Sequence, residues 1–128
     1  MTVLTSCDYF SEGYIKNDTN KDVIIIAQLD TSITRHYWVS VTRFLNSYAN
    51  DTSCIKLGMD TTNFMAIYLL KSNSSIETDG GNDKYCTTKF RYLQIRKHDD
   101  TITYYSNEEI AKAFTFDKEP CYHELTIK

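Results

Sequence analysis

A run of seven residues, Val23 to Leu29, limits the choice of fold more than any other segment of this chain. It reads VIIIAQL, and its first five residues form an unbroken aliphatic stretch. β-Branched residues favour strands, and an apolar run that does not alternate is usually covered on both faces of a sheet. We therefore predict a central strand here. Because about 20 apolar residues are needed to cross a bilayer, we expect no membrane insertion.

The segment from Asp30 to Tyr48 is compatible with two structures. Its apolar residues recur every three or four positions, which places them on one face of a helix. The alternation of Tyr37, Val39 and Val41 would instead suit a strand. The helical pattern matches more positions, so we predict a helix over about 33–48.

The rest of the chain contains shorter signals. Polar, turn-forming residues predict loops over 8–22 and 71–84. The S-x-x-E spacing from Ser106 to Glu109 is that of a capping box and predicts a short helix over about 107–114. Alternating or β-branched stretches predict five further strands. These are 54–59 and 64–70, joined by a turn at 60–63, then 85–97 with Phe90 and Tyr92 on one face, 101–105 and 122–127.

This order of elements predicts the fold class. At 128 residues the chain fits one domain over residues 1–128. We predict an α+β fold on an antiparallel or mixed sheet, with the longer helix at 33–48 and the short one at 107–114. If the segment from Asp30 to Tyr48 is extended, the alternative is an all-β sandwich.

Four cysteines are spread along the chain: Cys7, Cys54, Cys86 and Cys121. None is spaced for a structural zinc site. An even, dispersed count fits two disulfides, and three connectivities are open. The alternative is that the cysteines are buried thiols.

Three N-glycosylation sequons, at Asn17, Asn50 and Asn73, fall in polar stretches that we interpret as exposed loops. Together with the cysteines they favour a secreted protein. Residues 1–10 lack the basic and apolar regions of a signal peptide. We therefore expect either a mature secreted fragment or, as the alternative, a cytoplasmic protein with reduced cysteines and unmodified sequons.

Several function classes lack support in the sequence. The net charge of −3 makes nucleic acid an unfavourable partner. Gly80 and Gly81 are not followed by the residues of a phosphate-binding loop, so no cofactor is indicated. Cys121 and His123 would share one face of a strand and could form a thiolate–imidazole pair, but a disulfide cysteine beside a surface histidine is the favoured explanation. We expect a protein that is not an enzyme.

A short motif resembles the metal site of von Willebrand factor A domains. Asp30, Ser32 and Thr34 follow the predicted central strand in a D-x-S-x-T pattern, and Thr78-Asp79-Gly80 is similar to the later T-D-G loop of that family. The resemblance implies a divalent-metal adhesion domain with magnesium at the end of the strand. The threonine loop of that family has no counterpart here.

Aromatic content gives the strongest functional signal. Ten Tyr, six Phe and one Trp make up 13% of the chain. Tyrosine provides a large contact area with few rotatable bonds, and it concentrates in binding surfaces. The candidate partner-binding residues are Tyr9, Tyr14, Tyr85, Tyr104, Tyr105 and Tyr122.

These observations predict a protein-binding module, secreted and disulfide-bonded, that engages a protein partner through a Tyr-rich acidic surface. A basic partner such as a small cytokine or cationic toxin would suit the charge, and by analogy viral and parasite decoys or immune modulators fit the profile. One alternative is an intracellular immunity-type inhibitor of a cognate toxin or effector. Others are a small-ligand carrier and the metal adhesion domain. The sequence does not indicate an oligomeric state.

Overall fold

Two β-sheets packed face to face form most of the described part of the protein. The computed structural model describes residues 10–34, 53–82, 88–117 and 121–128. These contain two helices, α1 (Thr31–Thr34) and α2 (Asn107–Ala113). The strands are β1 (Phe10–Asn17), β2 (Val23–Leu29), β3 (Cys54–Asp60), β4 (Met65–Leu70), β5 (Ser75–Asn82), β6 (Phe90–Arg96), β7 (Thr101–Tyr104), β8 (Thr115–Asp117) and β9 (Tyr122–Ile127).

The two sheets differ in size and strand direction. The large sheet has the order β3-β4-β2-β6-β7, and every neighbouring pair is antiparallel. The small sheet has the order β5-β1-β9-β8, and β1 runs parallel to β9. The inner faces of both sheets, together with Ile110 of α2, form one hydrophobic core. The architecture is thus a β-sandwich.

The α+β prediction is wrong, and the all-β sandwich is close to the observed fold. Within the described ranges the longest helix is α2, with seven residues. The helix predicted over about 33–48 overlaps α1 only at its first two residues, and residues 35–52 lie outside the described part. The strands dominate because both sheets share one core, whereas an α+β fold needs helices to cover a sheet face.

The predicted central strand is confirmed, but its outer face is only partly covered. β2 lies in the middle of the large sheet. Val23, Ile25, Ala27 and Leu29 point into the core and are at most 3% exposed. The alternate residues of β2 are half-buried on the outer face. The unbroken apolar run is therefore a strand with one face in the core and the other face half-buried on the outside of the sheet.

Two predicted loops contain strands instead. β1 lies within 8–22 and β5 within 71–84, and they pair with each other in antiparallel register. Each strand carries one fully buried isoleucine, Ile15 and Ile76, which are register partners. Their other residues are largely polar and give no apolar alternation, so pairing with a distant strand determines this structure.

The short helix and the β3–β4 hairpin are confirmed. The Ser106 hydroxyl accepts a hydrogen bond from the Glu109 amide at 3.1 Å, and the Glu109 carboxylate accepts one from the Tyr105 amide at 2.8 Å. In the hairpin turn, the Asp60 carboxylate accepts from the side chain and backbone of Asn63 and from the Thr62 amide. These bonds, led by the Asn63 side chain, lower the pKa of Asp60.

Asn17 is a buried link between the sheets, and its expected position in an exposed loop is wrong. It ends β1 and is 0% exposed. Its Nδ2 donates to the carbonyls of Lys21 at 2.8 Å and Leu70 at 3.1 Å, while its Oδ1 accepts from Thr19. A glycan on Nδ2 would break these bonds. Asn73 is exposed in a turn with φ of 58°, and Asn50 lies outside the described residues.

Candidate functional site

The outer face of the small sheet brings two tyrosines together from opposite ends of the chain. Tyr14 lies on β1 and Tyr122 on β9, and the parallel register pairs Glu12 with Tyr122 and Tyr14 with Glu124. The two rings have centroids 5.7 Å apart and an interplanar angle of 36°. Alternate residues of both strands point into the core, so these side chains project outward.

Carboxylates surround the ring pair. Glu12 and Glu124 flank the rings along the strands, and Glu77 of β5 is the register partner of Tyr14. Lys16 adds one positive charge. We call this set the acidic tyrosine face; its members are Glu12, Tyr14, Lys16, Glu77, Tyr122 and Glu124.

Hydrogen bonds hold both phenols in place. The Tyr14 hydroxyl donates to Glu12 Oε1 at 2.8 Å, and the Tyr122 hydroxyl donates to Glu124 Oε2 at 3.2 Å. Each pair is two residues apart on one strand, where side chains share a face. The rings are therefore oriented before any partner arrives, which reduces the entropy lost on binding.

Lys16 is positioned between an acid and a ring. Its Nζ lies 2.8 Å from Glu124 Oε2 and 5.9 Å from the centroid of the Tyr122 ring. The hydrogen bond to Glu124 raises the pKa of Lys16 to about 12 and lowers that of Glu124. One carboxylate of the face is thus paired with an ammonium, and the face as a whole remains acidic.

The Tyr14 hydroxyl gives a spectroscopic test of this geometry. Its hydrogen bond to Glu12, followed by desolvation and nearby negative charge, raises the pKa of Tyr14 to about 12. We expect Glu12→Gln to lower this pKa towards the ordinary value of about 10. The measurement is the pH titration of tyrosinate absorbance in the ultraviolet, and Tyr14→Phe identifies the signal by removing it.

The raised pKa of Tyr14 makes the stability of the folded protein depend on pH. The raised pKa of Tyr14 favours the neutral phenol in the folded state, so its contribution is fully present below about pH 10. It is lost as the pH rises from there through the folded value of about 12. An unchanged Tyr14 titration in the Glu12→Gln variant would contradict the assigned hydrogen bond.

The two other predicted tyrosines that the structure describes, Tyr104 and Tyr105, lie away from this face. Tyr105 is 72% exposed beyond the end of β7, on the large sheet, where its ring meets that of Tyr92 edge-on at 6.0 Å. Tyr104 packs against the core. Tyr9 and Tyr85 lie outside the described residues. Of the six predicted residues, the structure brings together Tyr14 and Tyr122.

Sequence reasoning placed Tyr92 on the wrong face. It was expected to share a face with Phe90, but Phe90 is 1% exposed in the core while Tyr92 lies on the outer face with Gln28 as its register partner. The register shift between Gln28 and Leu29 explains the difference, because a bulge reverses the alternation along β6. A bulge of this kind leaves no clear mark in the sequence.

Comparisons with protein-family models, curated proteins and solved structures gave no match for this chain. Function is therefore argued from the site itself. No helix in the described part is long and apolar enough to cross a membrane.

The cysteines are not equivalent. Cys54 is a thiol that is 0% exposed in the core, and Cys121 is disulfide-bonded. Cys7 and Cys86 lie outside the described residues. Because Cys54 is a thiol, it does not form one of the two predicted disulfides. The bond at Cys121 also removes the thiolate that a pairing with His123 would need.

The buried residue His123 packs inside the sandwich. It is 1% exposed, and its ring stacks on Phe116 at 5.1 Å and packs against Phe114 at 5.7 Å. The expected surface position of this histidine is wrong. Its neighbours are those of a core side chain.

The two parts of the metal motif lie in different parts of the sandwich, one after a strand of the large sheet and the other on a strand of the small sheet. Asp30 follows β2 of the large sheet, and its carboxylate accepts hydrogen bonds from the amide and hydroxyl of Ser32, which cap α1. Thr78 lies on β5 of the small sheet. The described residues hold no group of three His, Cys, Asp or Glu side chains that could bind a metal ion. The geometry therefore gives the resemblance to von Willebrand factor A domains no support.

Two clefts in the described part of the chain bear on the ligand-carrier alternative. One, of about 430 Å³, lies beside the acidic tyrosine face between Lys16, Asn73 and Thr126. The other, of about 340 Å³, lies between Lys21, Lys97 and other residues of the turn regions. Small-molecule sites are mostly apolar, and polar side chains dominate both linings. Neither cleft favours a carrier.

Proposed function

We propose that this protein is a non-enzymatic protein-binding module that captures a basic segment of a protein partner on its acidic tyrosine face. The observation that carries the proposal is the oriented pair of Tyr14 and Tyr122 with three carboxylates around it. Tyrosine anchors with satisfied hydrogen bonds and few free rotors are typical of binding surfaces.

Lys16 indicates how a partner's cation would bind. Its ammonium already lies near both a carboxylate and the Tyr122 ring. A partner arginine would place its guanidinium over the Tyr14 ring in the same way, with Glu12 and Glu77 within reach. Arginine suits such a site better than lysine because its planar group stacks on aromatic rings and pairs with carboxylates in two places.

The proposal includes an extracellular setting, with decoy or immune-modulating activity as the biological role. The disulfide at Cys121 supports this setting, because structural disulfides persist in oxidising compartments. Exposed Asn73 remains compatible with a glycan.

A peptide binding experiment tests the proposal. Fluorescence anisotropy would measure the affinity of labelled oligoarginine and oligolysine peptides of equal length at low and moderate salt. We expect oligoarginine to bind more tightly, with affinity falling as salt rises. We expect Tyr122→Ala or Glu77→Lys to weaken binding about fivefold to tenfold, equivalent to about 1 kcal/mol.

The control separates a local site from overall charge. Glu108→Lys makes the same change in net charge on α2, which packs against β6 and β7 of the other sheet. Its side chain is 81% exposed, so the fold should tolerate the change. An equal loss of affinity in Glu108→Lys and Glu77→Lys would contradict the proposed site, as would equal affinity for the two peptides.

A further inference from the structure

The outer face of the large sheet is apolar over three neighbouring strands. Register aligns Ile55, Leu69 and Ile24 in one row across β3, β4 and β2, and Ile67 with Ile26 in the next row. The residues of β2 and β4 here are half-buried, and Ile55 is 40% exposed. Leu57, at the bulge in β3, is 53% exposed. A contiguous apolar area of this kind usually marks an interaction site.

The remainder of this face is polar. Arg96 on β6 continues the first row, and its Nε donates to Gln94 Oε1 at 2.7 Å. Gln94 in turn donates to the Thr103 hydroxyl at 3.1 Å. At the diagonally opposite corner, Asp60 ends β3. Asp60 and Arg96 are the charged residues that the register places in the rows of this face, and Arg91 is a further exposed cation at the bulge in β6.

The midpoint between these two charges lies within the apolar area. Asp60 and Arg96 are three strands apart, about 14 Å, and four residues apart along the strands, about 13 Å. The midpoint of the diagonal falls between Ile67 of β4 and Ile26 of β2. A twofold axis lying in the interface and passing through this point, perpendicular to the diagonal, superposes Asp60 of one copy on Arg96 of the other.

We propose that a second copy of this chain covers the outer face of the large sheet in a twofold symmetric dimer. The axis passes between Ile26 and Ile67, and Asp60 of each copy pairs with Arg96 of its partner. Such an interface uses the same surface twice, as symmetric homodimers do. The strands of the two copies would cross at close to a right angle, one of the two common packings of sheets.

Features of β3 favour face packing over edge pairing. β3 lies at the edge of the large sheet, and the shift between Lys56 and Gly58 interrupts its ladder. Bulges and lysines on edge strands hinder the addition of a further strand. Gly58, on the outer face beside Ile67, leaves room for close approach because it has no side chain.

The size of the face sets the expected strength. Four strands of six or seven residues and the four-residue β7 cover at most roughly 24 Å by 24 Å, below the standard interface of about 800 Å² per partner. We therefore expect a dimer that dissociates in the micromolar range. Both acidic tyrosine faces would point away from the interface, so the dimer and the peptide binding succeed or fail independently.

Sedimentation equilibrium over a range of concentrations tests the dimer. We expect Leu57→Glu to abolish it. Arg96→Glu would place two carboxylates together at each contact, and we expect it to weaken the dimer at least tenfold. Adding Asp60→Asn should recover much of that loss, because asparagine removes the charge while retaining an oxygen for the hairpin turn. Thermal melts would verify that each variant is folded.

Lys112→Glu is the control, because it makes the same charge change on exposed α2, where the lysine side chain is 76% exposed. It should leave the dimerisation constant within about twofold. A wild-type chain that remains monomeric at millimolar concentration would overturn the proposal. The proposal would also be overturned if Arg96→Glu dimerised as strongly as Lys112→Glu, or if the double variant dimerised no more strongly than Arg96→Glu. Either result would show that Asp60 and Arg96 do not pair across the interface.

Discussion

Replacement of Gly13 by alanine is expected to lower the free energy of unfolding by about 3 kcal/mol, at the upper end for overpacked positions. Gly13 on β1 is the register partner of His123 on β9. A Cβ at this position would lie 2.8 Å from Thr78 Oγ1 and 2.9 Å from His123 Cδ2, and closer still to His123 Nε2. Real side chains do not approach so closely, so the two strands would have to separate.

The His123 ring has little freedom to relieve this clash, because it is 1% exposed and stacked on Phe116. Equilibrium denaturation would measure the loss. Gly58→Ala is the matched control, since its Cβ would meet only Ile67 Cδ1 at an ordinary 3.7 Å. We expect Gly13→Ala to cost much less in a His123→Ala background, where the new methyl group enters vacated space. Equal effects at Gly13 and Gly58 would refute the packing described here.

Loss of the Asn17 amide is expected to destabilise the protein by about 2–4 kcal/mol. In Asn17→Ala, the carbonyls of Lys21 and Leu70 lose a donor, and Thr19 loses an acceptor. The carbonyl of Leu70 belongs to the large sheet and Asn17 to the small one, so the deletion breaks a link between the two layers. Buried polar groups left without partners carry the full cost of desolvation.

An isosteric variant separates hydrogen bonding from packing. Asn17→Asp keeps the shape but turns the donor into an acceptor that faces two carbonyl oxygens. We expect it to be at least as destabilising as Asn17→Ala at neutral pH. Asn20→Ala removes the same amide at an exposed position nearby and should cost less than about 0.5 kcal/mol. Melting temperatures would rank these variants, and wild-type stability in Asn17→Asp would contradict the assigned bonds.

Local signals allowed part of the fold to be predicted. The apolar run from Val23, the turn chemistry at Asp60 and the capping box at Ser106 each act over a few residues, and each structure is present as expected. β1 and β5 were missed because their stability comes from pairing across about 60 residues of chain. The helical periodicity around Tyr37 predicts an α+β fold, and this prediction is wrong because the described elements are mostly strands in two sheets.

The candidate site was predicted only in part. Tyrosine-rich composition pointed to Tyr14 and Tyr122, but nothing local in the sequence says that they touch. The parallel pairing of β1 with β9 places their rings together. The same pairing places Lys16 beside Glu124 and so forms the ion pair within this face.

The sequence by itself determined where the apolar strands lie, where the short helix begins, and that tyrosine and acidic residues would be available at the surface. Tertiary structure decided that Asn17 is buried, that Tyr92 faces outward, and that the apolar run at Val23 has one face in the core and one directed outward. The physical reason is that burial belongs to a position in three dimensions. Strand partners far away in the chain determine which residues of a strand point into the core and which point to solvent.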